Sequence, residues 1–515
     1  HWQTQKTDFI FDLRSQLIFG IIMTACSFTV YCSDAVLLES SNLPIFILDT
    51  HGKSIKDSPR IEATMSVIWD RNGKRNHISD TGYHYNGRIT IEIRGSYSQT
   101  FPKKQYAITT ISDSGTENKV SLLGLPVDED WILAAPFSDK TLLRNALIYR
   151  LGQEFGRYTT KTRFCELILN NEYQGVYVLT ERIKRGKDRV NIAKLKQTDN
   201  SGDDLTGGYI IKVDKITGES STNGWDLPDP GSKRVYMHYP KPDNITTEQF
   251  EYIKTYINEI HTAINNTTAP LSDSLLRQRL DISSFVDYYI ISEFTKNVDG
   301  YAWSVFMHKD KDSNGGKLTM GPIWDFNIAF GNVNYGNAEK IAGFLDEDTK
   351  YDINWWGQLI CASLLTSKLK CRWLSLRQNT LSLQHIETLI DSLVTVINEA
   401  QERNFKRWNV LDSLVWPNNY VGGSYENELS YLKSWILDRI TWLDKNMPGE
   451  CQESHIDMYK NESGDAQLFP YAQSSCDLRS KNIVIIDIIL KNRDTEMVLH
   501  DVSNNGSYAI YATTW

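Results

Sequence analysis

The sequence predicts an α+β chain of two lobes, β-rich in its N-terminal part and largely helical in its C-terminal part, with a central cleft between them. Three observations predict it. From about residue 42 to 240, apolar side chains alternate with polar ones, the period of half-buried strands. From about 245 to 448 they recur at helical spacing instead. With 41% hydrophobic and 23% charged residues, the chain of 515 carries enough apolar side chain for real cores.

Residues 1–33 read as a leader. Leu17 to Tyr31 is an apolar run about as long as a signal-peptide core and too short for a comfortable membrane span. Met23-Thr24-Ala25-Cys26 loosely resembles a bacterial lipoprotein cleavage box, which would make Cys26 a lipid anchor and the protein exported, extracellular or at the cell surface. Residues 34–450 then form the main domain. RITIEIRG (88–95) and YAITTIS (106–112) are predicted strands, and FCELILNNEYQGVYVLTERI (164–183) is a predicted hairpin with its turn at NNEYQG. A helix is predicted over 138–155, opened by Ser138 and Asp139, with Leu142, Leu143, Ala146, Leu147 and Leu151 on one face. Further helices are predicted over 281–297, with Asp281 as cap, and over 426–449, ending at Pro-Gly. Residues 451–515, which include KNIVIIDIIL (481–490), read as an appended β-type segment.

Composition excludes some functions. The net charge of −9 argues against nucleic acid as a main partner, because phosphate backbones call for a basic face. The 14 Trp and 26 Tyr could line a carbohydrate cleft, although large aromatics more often pack cores. Seven cysteines show no C-x-x-C and no zinc-ligand spacing. In an oxidising compartment they would allow Cys361–Cys371 or Cys451–Cys476, and the sequence does not decide.

The candidate site lies around GPIWDFNIAFGN (321–332), where one carboxylate, Asp325, sits in an apolar run. Upstream, YAWSVFMH (301–308) and KLTMGPIW (317–324) flank the turn signal KDSNGG, which predicts a hairpin centred near residue 312 or 313. Asp299 and Asp325 lie thirteen residues either side of 312 and should meet at its open end, flanked by Asn297 and Asn327. Two carboxylates and two amides are suitable oxygen ligands for Mg²⁺ or Mn²⁺. Taken singly, each acid has a plainer reading: Asp299 bonds its own backbone in an NVDG turn, and Asp325 caps a backbone or pairs with an arginine. Together they fit phosphoryl transfer, which needs a metal on the phosphates, an acid at the nucleophile and cations elsewhere. RGSYSQTFPKKQYAI (94–108) offers Arg94, Lys103 and Lys104, the two lysines on opposite faces of a predicted strand. Neither GxGxxG nor GxxxxGK[ST] occurs.

The ordered motifs RGSYSQTFPKKQYAI, SLLGLPVDEDWILAAPFSDKTLLRNALIYRL, FCELILNNEYQGVYVLTERIKR, TGGYIIKVDK, FTKNVDGY and GGKLTMGPIWDFNIAFGN resemble the CotH family, secreted or surface-associated atypical protein kinases named after a spore-coat protein. The resemblance is close over about 90–335 and looser to about 448. It implies a two-lobed, atypical kinase-like fold and transfer of the γ-phosphate of ATP, with Mg²⁺ or Mn²⁺, to serine or threonine hydroxyls of a protein substrate. The family's N-x-D motif falls on Asn297-Val298-Asp299, which makes Asp299 the catalytic acid or base and Asn297 a cofactor contact. W-D-[FY]-[DN] falls on Trp324 to Asn327, which makes Asp325 a metal ligand with Asn327 beside it. R-G-x-S and P-K-K place ATP phosphates at Arg94, Ser96, Lys103 and Lys104, with Lys104 preferred to Lys103. Glu181 would pair with that lysine or help hold metal, against a surface salt bridge, while Arg144 and Asn145 match L-R-N as structural or nucleotide-adjacent residues. Two rivals remain. One is a surface binding protein or adhesin on the same scaffold, which would not bind nucleotide. The other is a glycoside hydrolase, whose carboxyls lie about 5–9.5 Å apart and which would leave the phosphate-side cations without a role.

Overall fold

The alternation in the N-terminal half builds a closed barrel. A computed structural model describes residues 36–451 apart from 216–221, 229–232, 266–272, 346–352, 354 and 362, together with the backbone of 488–492 and 495–499. The barrel strands are β1 (Ile45–Asp49), β2 (Ile61–Ile68), β3 (Tyr85–Arg94), β4 (Gln105–Ile111), β5 (Asp130–Ala134), β6 (Thr162–Leu169) and β7 (Glu172–Glu181). They run in the order β1-β2-β3-β4-β5-β7-β6, and parallel pairing of β1 with β6 closes the ring. Alternate residues point inward as period two requires, so that Phe46, Met65, Ile89, Ile91, Ile108, Trp131 and Leu179 share one core. Ile91 stands opposite Ile61 on one side and Ile108 on the other. Closure leaves no free edge among these strands. The β6–β7 hairpin turns on Asn170 and Asn171, at φ 50° and 66°, the left-handed backbone that a two-residue turn needs and that asparagine tolerates.

Helix α1 (Arg144–Glu154) starts later than the predicted 138, because Asp139 organises a turn ahead of it. The Asp139 carboxylate accepts from Thr141 N–H (3.1 Å) and Arg144 N–H (2.9 Å). A second sheet contains β8 (Tyr209–Val213), β9 (Gly224–Asp226), β10 (Arg234–Tyr239), β11 (Val305–Lys309) and β12 (Leu318–Met320), in the order β9-β10-β8-β11-β12. The predicted split near 240–245 therefore runs through one sheet. The β11–β12 hairpin has an apolar face of its own, and β8 supplies its partner, with Ile211 opposite Met307.

The remaining long helices are α2 (Thr247–Asn265), α3 (Ile282–Thr295), α4 (Ser363–Gln378), α5 (Leu383–Arg407) and α6 (Tyr425–Asn446). Asp281 caps α3 through Ser284 N–H, as the sequence implies, and Ser424 caps α6 through Asn427 N–H. One apolar core joins α1, the second sheet and these helices, and the barrel interior is a separate core. The molecule is thus β-rich at its N-terminal end and helical towards its C-terminal end, and its two main cores divide at the barrel wall. α3 is buried along almost its whole length, and the fully buried pair Glu293–Arg439 (3.2 Å) ties it to α6.

The β11–β12 pairing, Met307 with Met320 and Lys309 with Leu318, centres the hairpin between 313 and 314. Its strands are shorter than predicted: residues 301–304 turn away, and Pro322 has no N–H for a ladder bond. The disulfide is neither of the two considered. Cys371 on α4 bonds Cys451, just beyond α6, because Asp444 of α6 accepts from Trp373 Nε1 (2.8 Å) and Arg377 (3.0 Å) of α4 and draws the two segments together. The expected leader 1–33, Cys26, Cys476 and most of 481–490 lie outside the described residues. Beyond 451 the backbone forms one antiparallel pair, Ile488–Asn492 with Thr495–Leu499. No described helix is long and apolar enough to cross a membrane.

The bridge closes a loop across a sequence separation of 80. A Cys371→Ala/Cys451→Ala variant should lose about 2–4 kcal/mol, read as a lower urea midpoint with an equal or steeper slope, because the denatured chain without the bond is less compact. An unchanged midpoint would show that the α4–α6 contacts hold this end without the bond.

Candidate active site

α3 ends where Lys296 enters left-handed backbone (φ 45°), and this reversal feeds Asn297-Val298-Asp299-Gly300 into a tight turn. Gly300 N–H donates to Asn297 O (2.7 Å) and Trp303 N–H to Asp299 O (2.8 Å). The turn is made by main chain, so the Asp299 carboxylate is not spent on its own backbone. It faces Lys215 Nζ at 3.8 Å.

The second acid is held from both sides. Asp325 N–H donates to Tyr149 Oη (3.1 Å), Phe326 N–H to Asn145 Oδ1 (2.7 Å), and Arg144 Nε to Ala329 O (3.0 Å), all from α1. Phe330 N–H donates to Thr295 O (2.7 Å) at the end of α3. These anchors keep Asp325 at φ 64°, a conformation that costs a non-glycine residue roughly 1–3 kcal/mol. Arg144 and Asn145 are therefore positioning residues for this loop. Asn297 joins the two acids: its Nδ2 donates to Asp325 O (3.3 Å). Asn297 is 1% exposed, and its Oδ1 accepts no hydrogen bond among the described residues. An unpaired buried carbonyl of this kind costs about 1–3 kcal/mol, and a cation would satisfy it.

The charges agree with that arrangement. Burial first, and then Asp299, push the Asp325 carboxyl up to about 6 against the opposing pull of Arg94. Asp325 is open to solvent by surface area yet densely surrounded by protein, a combination that a concave recess produces. Its upward direction follows from the surrounding density, and the open side screens its size. Asp299 is raised as well, by burial first and with Asp214 contributing, while Lys215 and Lys233 lower it. Two acids thus share one recess, and burial holds both above the ordinary carboxylate range despite the cations beside them. Asn297 Oδ1, Asp325 and Asn327 fit a divalent cation, and the cation would relieve both the raised carboxyl and the unpaired amide oxygen. The other acidic cluster, Asp128, Glu129 and Asp130, already holds the Lys184 ammonium at 3.1, 2.6 and 3.0 Å.

The remaining sequence-predicted residues divide. Arg94, the last residue of β3, reaches the recess: its guanidinium lies 5.4 Å from the Trp324 ring and acts on Asp325. Gly95 follows at φ 105°, and a Cβ there would lie 2.0 Å from Ser98 Oγ, so this turn requires glycine. Ser96 is exposed on the same turn. Lys104 is tethered to it through Gln99 O (2.6 Å). Lys103 points elsewhere. It is 1% exposed, donates to Val176 O (2.6 Å) and Asn404 Oδ1 (2.8 Å), and is pushed down to about 7 by burial. Glu181 is neither a lysine partner nor a surface residue: it is buried and bonded to Arg189, Tyr158 (3.2 Å) and Lys161 N–H (3.0 Å). Asn327 sits beside Asp325 with its Nδ2 near Ser138 Oγ (3.5 Å), leaving its Oδ1 without a hydrogen bond among the described residues.

The sequence model for "CotH kinase protein" matches residues 91–443, a span that holds every residue of this recess. The chain belongs to the CotH family. It is also similar to the inner spore coat protein H of Bacillus subtilis (strain 168), 23% identical over 305 residues, which are 58% of this chain and 72% of that protein.

Within this CotH domain, sequence reasoning missed Asp214, Lys215, Lys233 and Tyr149. Asp214 and Lys215 follow β8, and the pairing of Val213 with Val305 carries them to the Asp299 turn. Lys215 and Lys233 both lie over the Trp303 ring, at 5.8 and 4.3 Å. The only sequence signal was an acid and a lysine just past a strand end, in YIIKVDK.

The raised Asp325 carboxyl has a sign that can be checked. Between the ordinary carboxylate range and about pH 6, the unfolded chain releases a proton that the folded chain keeps, so stability falls as pH rises through that window. Asp325→Asn removes this loss. In metal-free buffer, the Tm of wild type relative to Asp325→Asn should fall from pH 4.5 to 7, leaving the variant at least as stable at pH 7.5. A wild type that gains on the variant over that range would contradict the assigned environment.

Proposed function

We propose that this CotH protein is an ATP-dependent atypical protein kinase that transfers the γ-phosphate to serine or threonine hydroxyls of a protein substrate. One observation carries the reading: Asp299 and Asp325, both raised in pKa, share a recess with an unpaired buried amide oxygen and with Arg94 and Lys215 at its edges. That is the donor set for a divalent cation and a polyphosphate. Asn297 Oδ1, Asp325 and Asn327 would hold Mg²⁺ or Mn²⁺, whose charge would stabilise the phosphate oxygens. Arg94 and Lys215 would balance the remaining phosphate charge, joined by Lys104, the lysine preferred from the sequence, which stays on the Gly95 turn, whereas Lys103 is held in the core. Asp299 would orient the acceptor hydroxyl and take its proton, and its upward shift brings it closer to the range in which a carboxylate is an effective base. The barrel with its Gly95 turn would serve as the nucleotide-side lobe of a kinase-like fold.

We further propose that the chain acts outside the reducing interior of the cell. The Cys371–Cys451 bond supports an oxidising compartment, and the name of the Bacillus relative favours a coat or surface. That name also favours a second reading, a surface binding protein on the same scaffold.

The test is transfer of labelled phosphate from ATP to the protein itself and to a generic basic protein, with Mg²⁺ or Mn²⁺, for wild type, Asp325→Ala and Asp299→Ala. Each variant should lose roughly 10²–10⁴-fold in rate while keeping its circular dichroism. ATP with Mn²⁺ should raise the Tm of wild type and not that of Asp325→Ala. A folded wild type that shows neither transfer nor a nucleotide-dependent Tm shift would sink the kinase reading and leave the binding protein.

A further inference from the structure

α1, whose Asn145 and Tyr149 hold the Asp325 loop, also borders a second recess. A cavity of about 550 Å³ is lined by Arg150 and Gln153 of α1, by Lys161 to Arg163 at the start of β6, by the turn 124–127 and by Asp188. Its volume is that of an ordinary ligand site. Three cations, Arg150, Lys161 and Arg163, face one lining carboxylate, Asp188.

Little of that charge is answered by the protein. Arg150 reaches Glu154 (3.2 Å), which lies outside the lining and is shared with His385 (2.6 Å). The Arg163 guanidinium donates to Thr162 O (2.9 Å) and meets no carboxylate in an ion pair among the described residues. It is pushed below its usual range by partial burial first and then by Arg150, with the Glu181 carboxylate, which lies outside the lining and is itself bonded to Arg189, opposing both. Lys161 Nζ makes no hydrogen bond or ion pair among the described residues, while its main-chain N–H is held by Glu181. A neighbouring cavity of about 430 Å³ shows the contrasting case. There the lining again holds three cations, Arg157, Lys368 and Arg372, to one carboxylate, Asp287, but both arginines reach Asp287 at 2.7 Å and Arg157 also reaches Asp281 at 3.2 Å.

We infer that the first cavity binds a phosphoryl-type oxyanion, supplied either as inorganic phosphate or as a phosphorylated serine or threonine side chain. Like charges gathered in a concave site repel one another until an anion enters. Two guanidiniums and an ammonium are a donor set for a phosphate dianion, since the forked guanidinium matches its oxygens and the ammonium adds a point charge. Val127, 60% exposed in the lining, offers the apolar contact that a peptide around the phosphate would use. In a chain of net charge −9, this concentration of positive charge is not a consequence of overall composition. The site is separate from the Asp299–Asp325 recess, and its binding does not depend on phosphoryl transfer occurring there.

The test is calorimetric titration of the full chain, at fixed ionic strength, with inorganic phosphate, with a phosphoserine peptide and with the unphosphorylated peptide. Wild type should bind the phosphopeptide at least tenfold tighter than its unphosphorylated copy. Arg163→Glu and Lys161→Gln should each weaken it about tenfold or more, with folding checked by circular dichroism. Asp325→Ala should bind like wild type, so failure of the kinase reading leaves this result standing. Inorganic phosphate as tight as the phosphopeptide supports the site and assigns it to the free ion. A phosphopeptide tenfold tighter than phosphate supports it and assigns it to modified protein. Absence of binding by either, or binding that survives both cation substitutions, overturns the proposal.

Discussion

The recess depends on holding the 325–330 loop against its own backbone preference. Asp325 and Phe330 are both left-handed, at φ 64° and 53°, and neither is glycine. Such conformations persist only where neighbours over-determine them. α1 supplies Arg144, Asn145 and Tyr149 from one side, and the last turn of α3 supplies Thr295 O from the other. The main core packs α1 and α3 into one body, so the strain is carried by two helices rather than by the loop. Asn297, just past the end of α3, then completes the link with its bond to Asp325 O.

α1 touches two charged recesses. Inside, burial raises both acids of the Asp299–Asp325 recess. On its solvent side, Arg150 and Gln153 border a cavity with more cation than carboxylate. Several other buried charges are paired, Glu293 with Arg439 and Glu166 with Arg403, while the buried ammoniums of Lys103 and Lys296 are held by neutral oxygens.

The lysine preference shows how a strand pattern can be read correctly and still leave the function open. Lys103 and Lys104 do lie on opposite sides of the chain as it enters β4. The alternation says nothing about what waits on each side: for Lys103 it is Asn404 of α5, some three hundred residues away in sequence. Glu181 shows the same limit, because its partner Arg189 comes from a loop whose return to the barrel rim no periodicity announces.

What the sequence by itself determined is local. Period-two alternation specified β3, β4 and the β6–β7 hairpin, paired asparagines lay at its turn, and Asp281 specified the start of α3, because each of these rests on contacts within a few residues. The N-x-D and W-D-F-N motifs identified both acids of the site. Only the tertiary structure decided that seven strands close into a barrel, that one sheet crosses the expected lobe boundary, and that Cys371 meets Cys451. It alone brought Lys215 to Asp299, through the pairing of β8 with β11, and left Lys103 in the core. The reason is one of range. Backbone propensity and turn chemistry act over a handful of residues, whereas ion pairing, burial and sheet order depend on segments tens to hundreds of positions apart, whose meeting is set by how the cores pack.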